Sequence, residues 1–147
     1  MQWTALDLKN LAALFDDISD AVLNFRIQNR ESLTQLQKIQ LTALFGQLDS
    51  YGEQLENEAL QNALVDIDAA VADLQNAAHD ATNALQTISD VQNAISIAVA
   101  AVGLGVAIFN PTPGSIAGSL DTLAQAIQLA NAKPAKDNGA SGTPGIA

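Results

Sequence analysis

Residues 91–120 carry no formal charge, in a chain that holds 16 acidic and 6 basic side chains. The middle of this charge-free window, residues 94–109, has Ser96 as its one polar side chain. Apolar side chains at that density must be covered by protein or by lipid, because their exposure to water is unfavourable. What covers the charge-free window therefore decides which kind of protein this chain forms.

The first third of the chain shows the pattern of an amphipathic helix. No Pro or Gly occurs between Thr4 and Phe45, and apolar residues recur at alternating gaps of three and four: Leu8, Leu11, Phe15, Ile18, Val22 and Phe25. This spacing is typical of amphipathic helices and coiled coils. It predicts a first helix over residues 5–48. Turn-forming residues at Gly46 and at residues 49–52 place its end between residues 46 and 57, and a kinked continuous helix is the alternative.

A second apolar stripe runs from Leu60 to Ile88 and resumes from Ile95 to Phe109. Alanines at seven-residue spacing lie beside it, and small side chains let a neighbouring helix approach closely. A single helix over residues 58–109 would be about 75 Å long at 1.5 Å per residue. The sequence thus predicts a rod, built as a coiled-coil-like antiparallel hairpin of two long helices.

Residues 110–114 contain two prolines and a glycine, which end this second helix. A third, shorter helix is expected over residues 115–131, where apolar residues again share one face. Residues 133–147 have the composition of a disordered tail. The expected fold class is therefore all-α, with an elongated helical bundle over residues 1–132 and a flexible tail over residues 133–147.

Charge and composition exclude several classes of function. The net charge is −10, and no Lys or Arg lies between residues 39 and 132, so binding to nucleic acid is not expected. The chain has no Cys and therefore no disulfide. Residues 1–10 lack the basic and apolar regions of a signal peptide. The expected location is the cytoplasm, or outside the cell by a non-classical route, with conditional membrane association.

Residues that could perform chemistry are few. The single histidine, His79, falls away from the apolar stripe and is expected on a solvated face. Asp66, Asp73 and Asp80 repeat every seven residues, which places successive members about 10 Å apart and favours a solvated row over one shared metal site. Gly103-Leu104-Gly105 lacks the strand and downstream acid of a dinucleotide site. We expect no enzymatic activity, no cofactor and no metal.

Three interpretations account for the charge-free window. It forms the buried end of the helical bundle, or it inserts conditionally into a membrane as a helical hairpin over residues 91–130, or it is covered by copies of the same chain or by a partner helix. No Lys or Arg and no Trp or Tyr belt brackets the window, which argues against a permanent membrane span. The last interpretation describes a non-enzymatic assembly or scaffold protein.

Long amphipathic helices that carry one uncharged apolar hairpin at the end of a rod resemble the α-helical pore-forming toxins of the cytolysin A and haemolysin BL type. The resemblance covers the architecture of residues 7–130 and no specific motif, and those toxins have more and longer helices. It implies a soluble form that conceals the hairpin and an oligomer that inserts it. The leading expectation is therefore a membrane-interacting protein, such as a pore-forming or toxin component, with lipid or further copies of itself as partners.

Two sets of residues are predicted to make the important contacts. The set expected to contact a membrane or partner is apolar and lies in or beside the charge-free window: Ile95, Ile97, Val99, Val102, Leu104, Val106, Ile108, Phe109, Ile116 and Leu120. The set expected to permit close helix packing has small side chains: Ala63, Ala70, Ala77, Ala84, Gly103 and Gly105.

Overall fold

The computed structural model describes residues 2–61, 65–66, 69–110 and 112–132. Within these ranges the chain forms five helices: α1 (Ala5–Gln28), α2 (Gln35–Leu60), α3 (Val71–Thr87), α4 (Val91–Phe109) and α5 (Ser115–Ala132). The predicted all-α class is confirmed, as is the last, shorter helix. The predicted tail over residues 133–147 lies outside the described residues, and so does Ala63.

The N-terminus is attached to the connection between α2 and α3. Gln2–Trp3 (β1) pairs antiparallel with Val65–Asp66 (β2), a ladder of two residues on each side. Trp3 is fully buried, and its indole Nε1 donates a hydrogen bond to the carbonyl oxygen of Ala69 at 3.2 Å. A buried Trp with a satisfied N–H is a strong anchor, so it fixes the start of α1 against the start of α3.

The predicted first helix over residues 5–48 is wrong in its bounds, because the chain breaks after Gln28. The backbone N–H and the side-chain amide of Asn29 both donate to the carbonyl of Phe25, which closes α1. Thr34 then starts α2 with a capping box: its hydroxyl accepts from the N–H of Gln37, and the Gln37 side chain accepts from the N–H of Thr34. These polar groups satisfy the free ends of both helices, which makes the break stable.

Helices α1 and α2 lie side by side as an antiparallel hairpin. The Ser19 hydroxyl donates to the carbonyl of Phe45 at 3.1 Å, and the Arg26 Nε donates to the carbonyl of Lys38 at 3.3 Å. The predicted helix end between residues 46 and 57 is wrong, since α2 continues to Leu60. Gly52 instead allows close approach of α1: an added Cβ would lie 3.3 Å from the carbonyl oxygen of Ala12.

The predicted single helix over residues 58–109 is also wrong. Helix α2 ends at Leu60, α3 begins at Val71, and a second break at residues 88–90 separates α3 from α4. Ile88 has extended backbone angles, and the Asp90 carboxylate accepts the N–H of Asn93 as the N-cap of α4. A carboxylate cap is one of the strongest starts for a helix. The longest described helix, α2, has 26 residues and spans about 39 Å, so no 75 Å helix forms.

The core draws on all five helices. The apolar stripe predicted for α1 is confirmed, since all six of its residues are buried. The buried leucines of α2 repeat every seven residues, at Leu41, Leu48 and Leu55, so they lie on the side of the helix that faces α1. The largest fully buried side chains are Trp3, Leu8, Leu11, Phe15, Ile18, Leu41, Leu48, Leu55, Leu74, Ile97 and Leu104.

Candidate functional site

Helix α4 is the central feature of the charge-free window, and it packs against each of the other four helices. Its inner face is completely shielded from solvent at Ile97, Ala101 and Leu104. The helix begins at the Asp90 cap and ends at Asn110, where the backbone leaves the helical region before the two prolines. The bundle therefore covers one side of α4 with protein.

The outer face of α4 is uncharged and mixed in polarity, since its exposed side chains are Gln92, Ser96, Val99 and Val106. Val99 is 52% exposed and Val106 is 44% exposed, and both belong to the set of predicted contact residues. Val102 and Phe109 are half-buried, whereas Ile95 and Ile108 are buried with the inner face. The ten predicted contact residues are thus divided, and within α4 it is Val99 and Val106 that present large apolar side chains outward.

Helix α5 covers α4 on one side and is amphipathic. Ile116 and Leu123 are buried, Leu120 is half-buried, and Asp121 is exposed on the opposite face. The Ser119 hydroxyl donates to the carbonyl oxygen of Gly103 at 3.4 Å, which links the two helices near the middle of α4. Of the two members of the predicted 91–130 hairpin, α4 alone has no charged residue on either face.

The predicted close-packing residues occupy different environments. Ala84 is buried and Ala77 is half-buried within α3, while Ala70 precedes that helix as its N-cap. At Gly103 an added Cβ would meet nothing within 4 Å. Gly105, two residues later, is buried against another helix.

Gly105 lies directly under an aromatic ring that the sequence did not point to. An added Cβ there would lie 2.9 Å from the Cγ of Tyr51 and closer still to two further ring carbons. The Tyr51 ring stacks on Phe109 with centroids 5.6 Å apart and meets Phe15 edge-on at 6.2 Å. This aromatic cluster of Phe15, Tyr51 and Phe109 joins α1, α2 and α4, and offset-stacked and edge-on pairs are favourable beyond their burial.

An open groove of about 760 Å³ runs over the outer face of α4, between α2 and α5. None of its lining residues is charged: Gln40, Gln92, Ile95, Ser96, Val99, Ala100, Gly103, Ser119, Thr122, Gln125, Ala126 and Leu129. We call this surface the α4 groove. Leu129 is 69% exposed and was not among the predicted contact residues. Its position on the otherwise polar face of α5 was the sequence signal that could have identified it.

The acidic side chains gather elsewhere, between α1 and α2. The Asp16 carboxylate lies over Gly52, where an added Cβ would collide with it. Burial of this carboxyl raises its pKa above the usual value, and the nearby negative charges of Asp49, Glu56, Asp20 and Asp17 raise it further. Ionised Asp16 is therefore held in an unfavourable environment in the α1–α2 hairpin.

The remaining polar residues do not converge on a reaction centre. His79 is exposed, as expected, and lies beside Asp17 and Asp20 in a shallow polar depression between α1 and α3. Asp73 and Asp80 line a separate groove of about 440 Å³ between α3 and α5. Over the described ranges, no group of three or more His, Asp or Glu side chains is placed to hold a metal ion.

By length and composition, α4 is the one helix within residues 2–61, 69–110 and 112–132 that could cross a membrane. It has 19 residues and a mean hydropathy of 1.9, and 56% of its most apolar stretch is buried in the bundle. Core helices of soluble proteins satisfy the same criterion. No family model, no curated protein and no solved structure matches this chain.

Proposed function

We propose that the protein is a non-enzymatic, membrane-interacting helical protein that conceals α4 in a soluble bundle and inserts it into a lipid bilayer. One observation carries the proposal: the face of α4 that the bundle leaves exposed carries no charge and presents Val99 and Val106 to water. A core helix needs an apolar inner face only, and its solvent face is usually polar. The valines at positions 99 and 106 and the absence of charge over residues 91–120 are explained if this face meets lipid.

The dimensions of α4 fit this role. Nineteen residues span about 28 Å, close to the roughly 30 Å of hydrocarbon in a bilayer. Helix α5 follows after the turn at residues 110–114 and exposes Asp121, Gln125 and Gln128 on its outer face. It is suited to lie at the membrane surface or against water, so α4 is the inserting helix and the amphipathic α5 stays at the surface.

Insertion changes the surroundings of both faces of α4. The inner face of α4 leaves the packed core and meets acyl chains, while its outer face leaves water, which supplies the driving force. The body of the protein, with its net charge of −10, is repelled by anionic lipid. Zwitterionic membranes, or a pH low enough to protonate carboxylates, are therefore the favourable conditions.

A more specific form of this proposal is that several copies of the protein assemble into a pore. In the toxins whose architecture the sequence resembles, a concealed apolar hairpin is released when copies assemble on the membrane. In this chain α4 would supply the lipid-facing helix, and the polar face of α5 would supply the water-facing side of a channel. Release of a small dye from vesicles distinguishes a pore from surface binding alone.

Val99→Asp tests the proposal, because this position lies near the centre of α4 and is 52% exposed in the bundle. The bundle should tolerate the new charge, whereas an Asp at the centre of a membrane helix costs about 2.5–3.5 kcal/mol. We expect the wild type to bind zwitterionic vesicles and release dye at neutral or mildly acidic pH. The variant should show a roughly hundredfold smaller inserted fraction.

Leu129→Asp is the matched control, since it places the same charge in the same groove but on α5. It should retain vesicle binding and dye release. Far-UV circular dichroism must show that both variants remain folded. The proposal is overturned if the wild type neither floats with vesicles nor releases dye at either pH, or if Val99→Asp is as active as the wild type.

A further inference from the structure

The end of the α1–α2 hairpin differs in charge from the rest of the chain. We call residues 26–39, which join the end of α1 to the beginning of α2, the α1–α2 tip. Of the chain's 6 basic and 16 acidic residues, the tip holds three basic ones, Arg26, Arg30 and Lys38, and one acidic one, Glu31. The tip is therefore a positively charged segment of a protein whose net charge is −10.

Large apolar side chains are exposed on the same segment. Ile27, Leu36 and Ile39 are between 50% and 66% exposed. Leu36 and Ile39 are three residues apart in α2, so they share one face of that helix. Basic residues beside exposed aliphatic ones are typical of surfaces that lie in the headgroup region of a membrane, where the apolar side chains enter the acyl boundary and the charges attract anionic lipid.

The other surfaces that expose apolar side chains lack this positive charge. A groove of about 650 Å³ between α1 and α2 exposes Leu6 and Leu60, but its one basic residue, Lys9, is accompanied by Glu56. The α4 groove has no charged lining residue at all. Among the described residues, the combination of exposed apolar side chains with an excess of positive charge therefore occurs at the α1–α2 tip.

Contacts between its two sides hold the α1–α2 tip together. The Arg26 Nε donates to the carbonyl of Lys38, and Leu33 is buried within the connection. The Thr34 capping box fixes the beginning of α2. The exposed side chains of the tip are thus presented on an ordered backbone, which lowers the entropic cost of binding.

The α1–α2 tip lies at the end of the bundle where α4 begins. Gln40, next to the tip on α2, and Gln92, in the first turn of α4, line the same groove. Further along both helices, Tyr51 of α2 stacks on Phe109 of α4. Helix α4 therefore runs beside α2 in the same direction, away from the tip.

We propose that the α1–α2 tip docks the protein end-on to a membrane surface. Its basic side chains would meet lipid phosphates, and Ile27, Leu36 and Ile39 would enter the acyl boundary. The choice of lipid over an acidic protein surface rests on the proposed function, because docking at this end brings the beginning of α4 to the bilayer. The hairpin extends about 36 Å from the tip, and the Debye length is about 8 Å in physiological salt, so carboxylates further along it are screened.

Reversal of charge at the tip tests the electrostatic part of the proposal. Flotation at neutral pH would use phosphatidylcholine vesicles with and without a minor fraction of phosphatidylglycerol, which should strengthen docking of the wild type. One basic residue near an anionic surface contributes about fivefold in affinity. Arg30→Glu changes the charge by two units and should weaken binding about 25-fold. Lys9→Glu, also exposed but in the first turns of α1, is the matched control and should bind as the wild type does.

A matched pair of leucines tests the apolar part. Leu36 in the tip and Leu6 near the start of α1 are both 66% exposed, so the bundle should tolerate an aspartate at either position. Leu36→Asp should lose flotation, whereas Leu6→Asp should retain it. Far-UV circular dichroism must show that both variants are folded.

A single introduced cysteine reports the orientation, since the chain has no other. An environment-sensitive dye on Ser32→Cys, in the tip, should shift its emission to the blue on vesicles. The same dye on Ser50→Cys, at an exposed position in the middle of α2, should not respond. An equal response at the two positions would contradict end-on docking.

Val99→Asp separates docking from insertion, because it should dock as the wild type does and release little dye. If Arg30→Glu and Leu36→Asp float and release dye as their controls do, the docking proposal is overturned and insertion stands. Docking of the wild type at the tip without dye release would overturn insertion alone. Docking at the tip is also overturned if the wild type binds no vesicles but self-associates in sedimentation velocity and Arg30→Glu abolishes that association, since the tip would then bind the acidic surface of a second copy.

Discussion

Gly105 and Gly103 form a natural pair for measuring how tightly α4 is held in the bundle. Both lie in the second half of the same helix, so alanine at either position gains the same intrinsic helix propensity, about 1 kcal/mol. They differ in what an added Cβ meets. At Gly103 it meets nothing within 4 Å, and at Gly105 it meets the ring of Tyr51.

The expected effects have opposite signs. Gly103→Ala should stabilise the protein by up to about 1 kcal/mol, because nothing opposes the gain in propensity. At Gly105 the added Cβ would lie 2.9 Å from the Tyr51 Cγ, and the ring cannot move freely because Phe15 and Phe109 contact it. Overpacking of this kind costs about 1–3 kcal/mol. Gly105→Ala should therefore be less stable than Gly103→Ala by about that amount.

Urea unfolding followed by far-UV circular dichroism measures the difference, and thermal midpoints should differ by roughly 4 °C for each kcal/mol. Near-UV circular dichroism reports on the ring when each spectrum is compared with that of Tyr51→Ala, because Tyr51 is the one tyrosine and Trp3 contributes to the same region. In a Tyr51→Ala background the penalty of Gly105→Ala should disappear. Equal stability of the two alanine variants, or an unchanged penalty without the tyrosine ring, would refute the proposed packing of α4 on α2.

Two further predictions concern the α1–α2 hairpin. Because the folded-state pKa of Asp16 is raised, the stabilisation associated with its protonation is complete below the usual Asp pKa and is lost as pH rises through the raised value. Asp16→Asn should therefore stabilise the protein at neutral pH, with a gain that shrinks toward acidic pH in urea titrations; Asp80→Asn, at an exposed position on α3 and not among the charges that act on Asp16, is the control, and a gain independent of pH contradicts the argument. Thr34→Ala removes the hydroxyl that caps α2 and should cost about 1 kcal/mol of unfolding free energy, whereas Thr42→Ala within the same helix should cost little; equal losses would show that the cap is unimportant.

The local sequence pattern alone predicted much of the fold. The three–four spacing of apolar residues in α1 is a property of one helix, so it identified the buried face correctly without knowledge of any partner. The prolines after Asn110 and the apolar face of residues 115–131 likewise fixed the end of α4 and the course of α5. The break after Gln28 was not predicted, because it depends on polar caps at Asn29 and Thr34 and not on the apolar spacing.

The structural role of each glycine depended on which residues surround it in the fold. Gly52 resembled a turn residue but lies within α2, where α1 and Asp16 occupy the space of its missing side chain. Gly103 and Gly105 looked equivalent, yet one faces open space and the other faces Tyr51. A missing side chain is compatible with a turn, a close contact or an empty groove, and only the position of the neighbouring helix distinguishes them.

The sequence determined that residues 91–109 form a charge-free helix, because composition and periodicity are carried by the chain itself. Only the tertiary structure decided which part of that helix is hidden. Ile97 and Leu104 are buried by the other helices, while Val99 and Val106 remain outside. The physical reason is that burial depends on where distant helices pack, and their packing is set by contacts such as Tyr51 on Gly105, which join residues 54 positions apart in the chain.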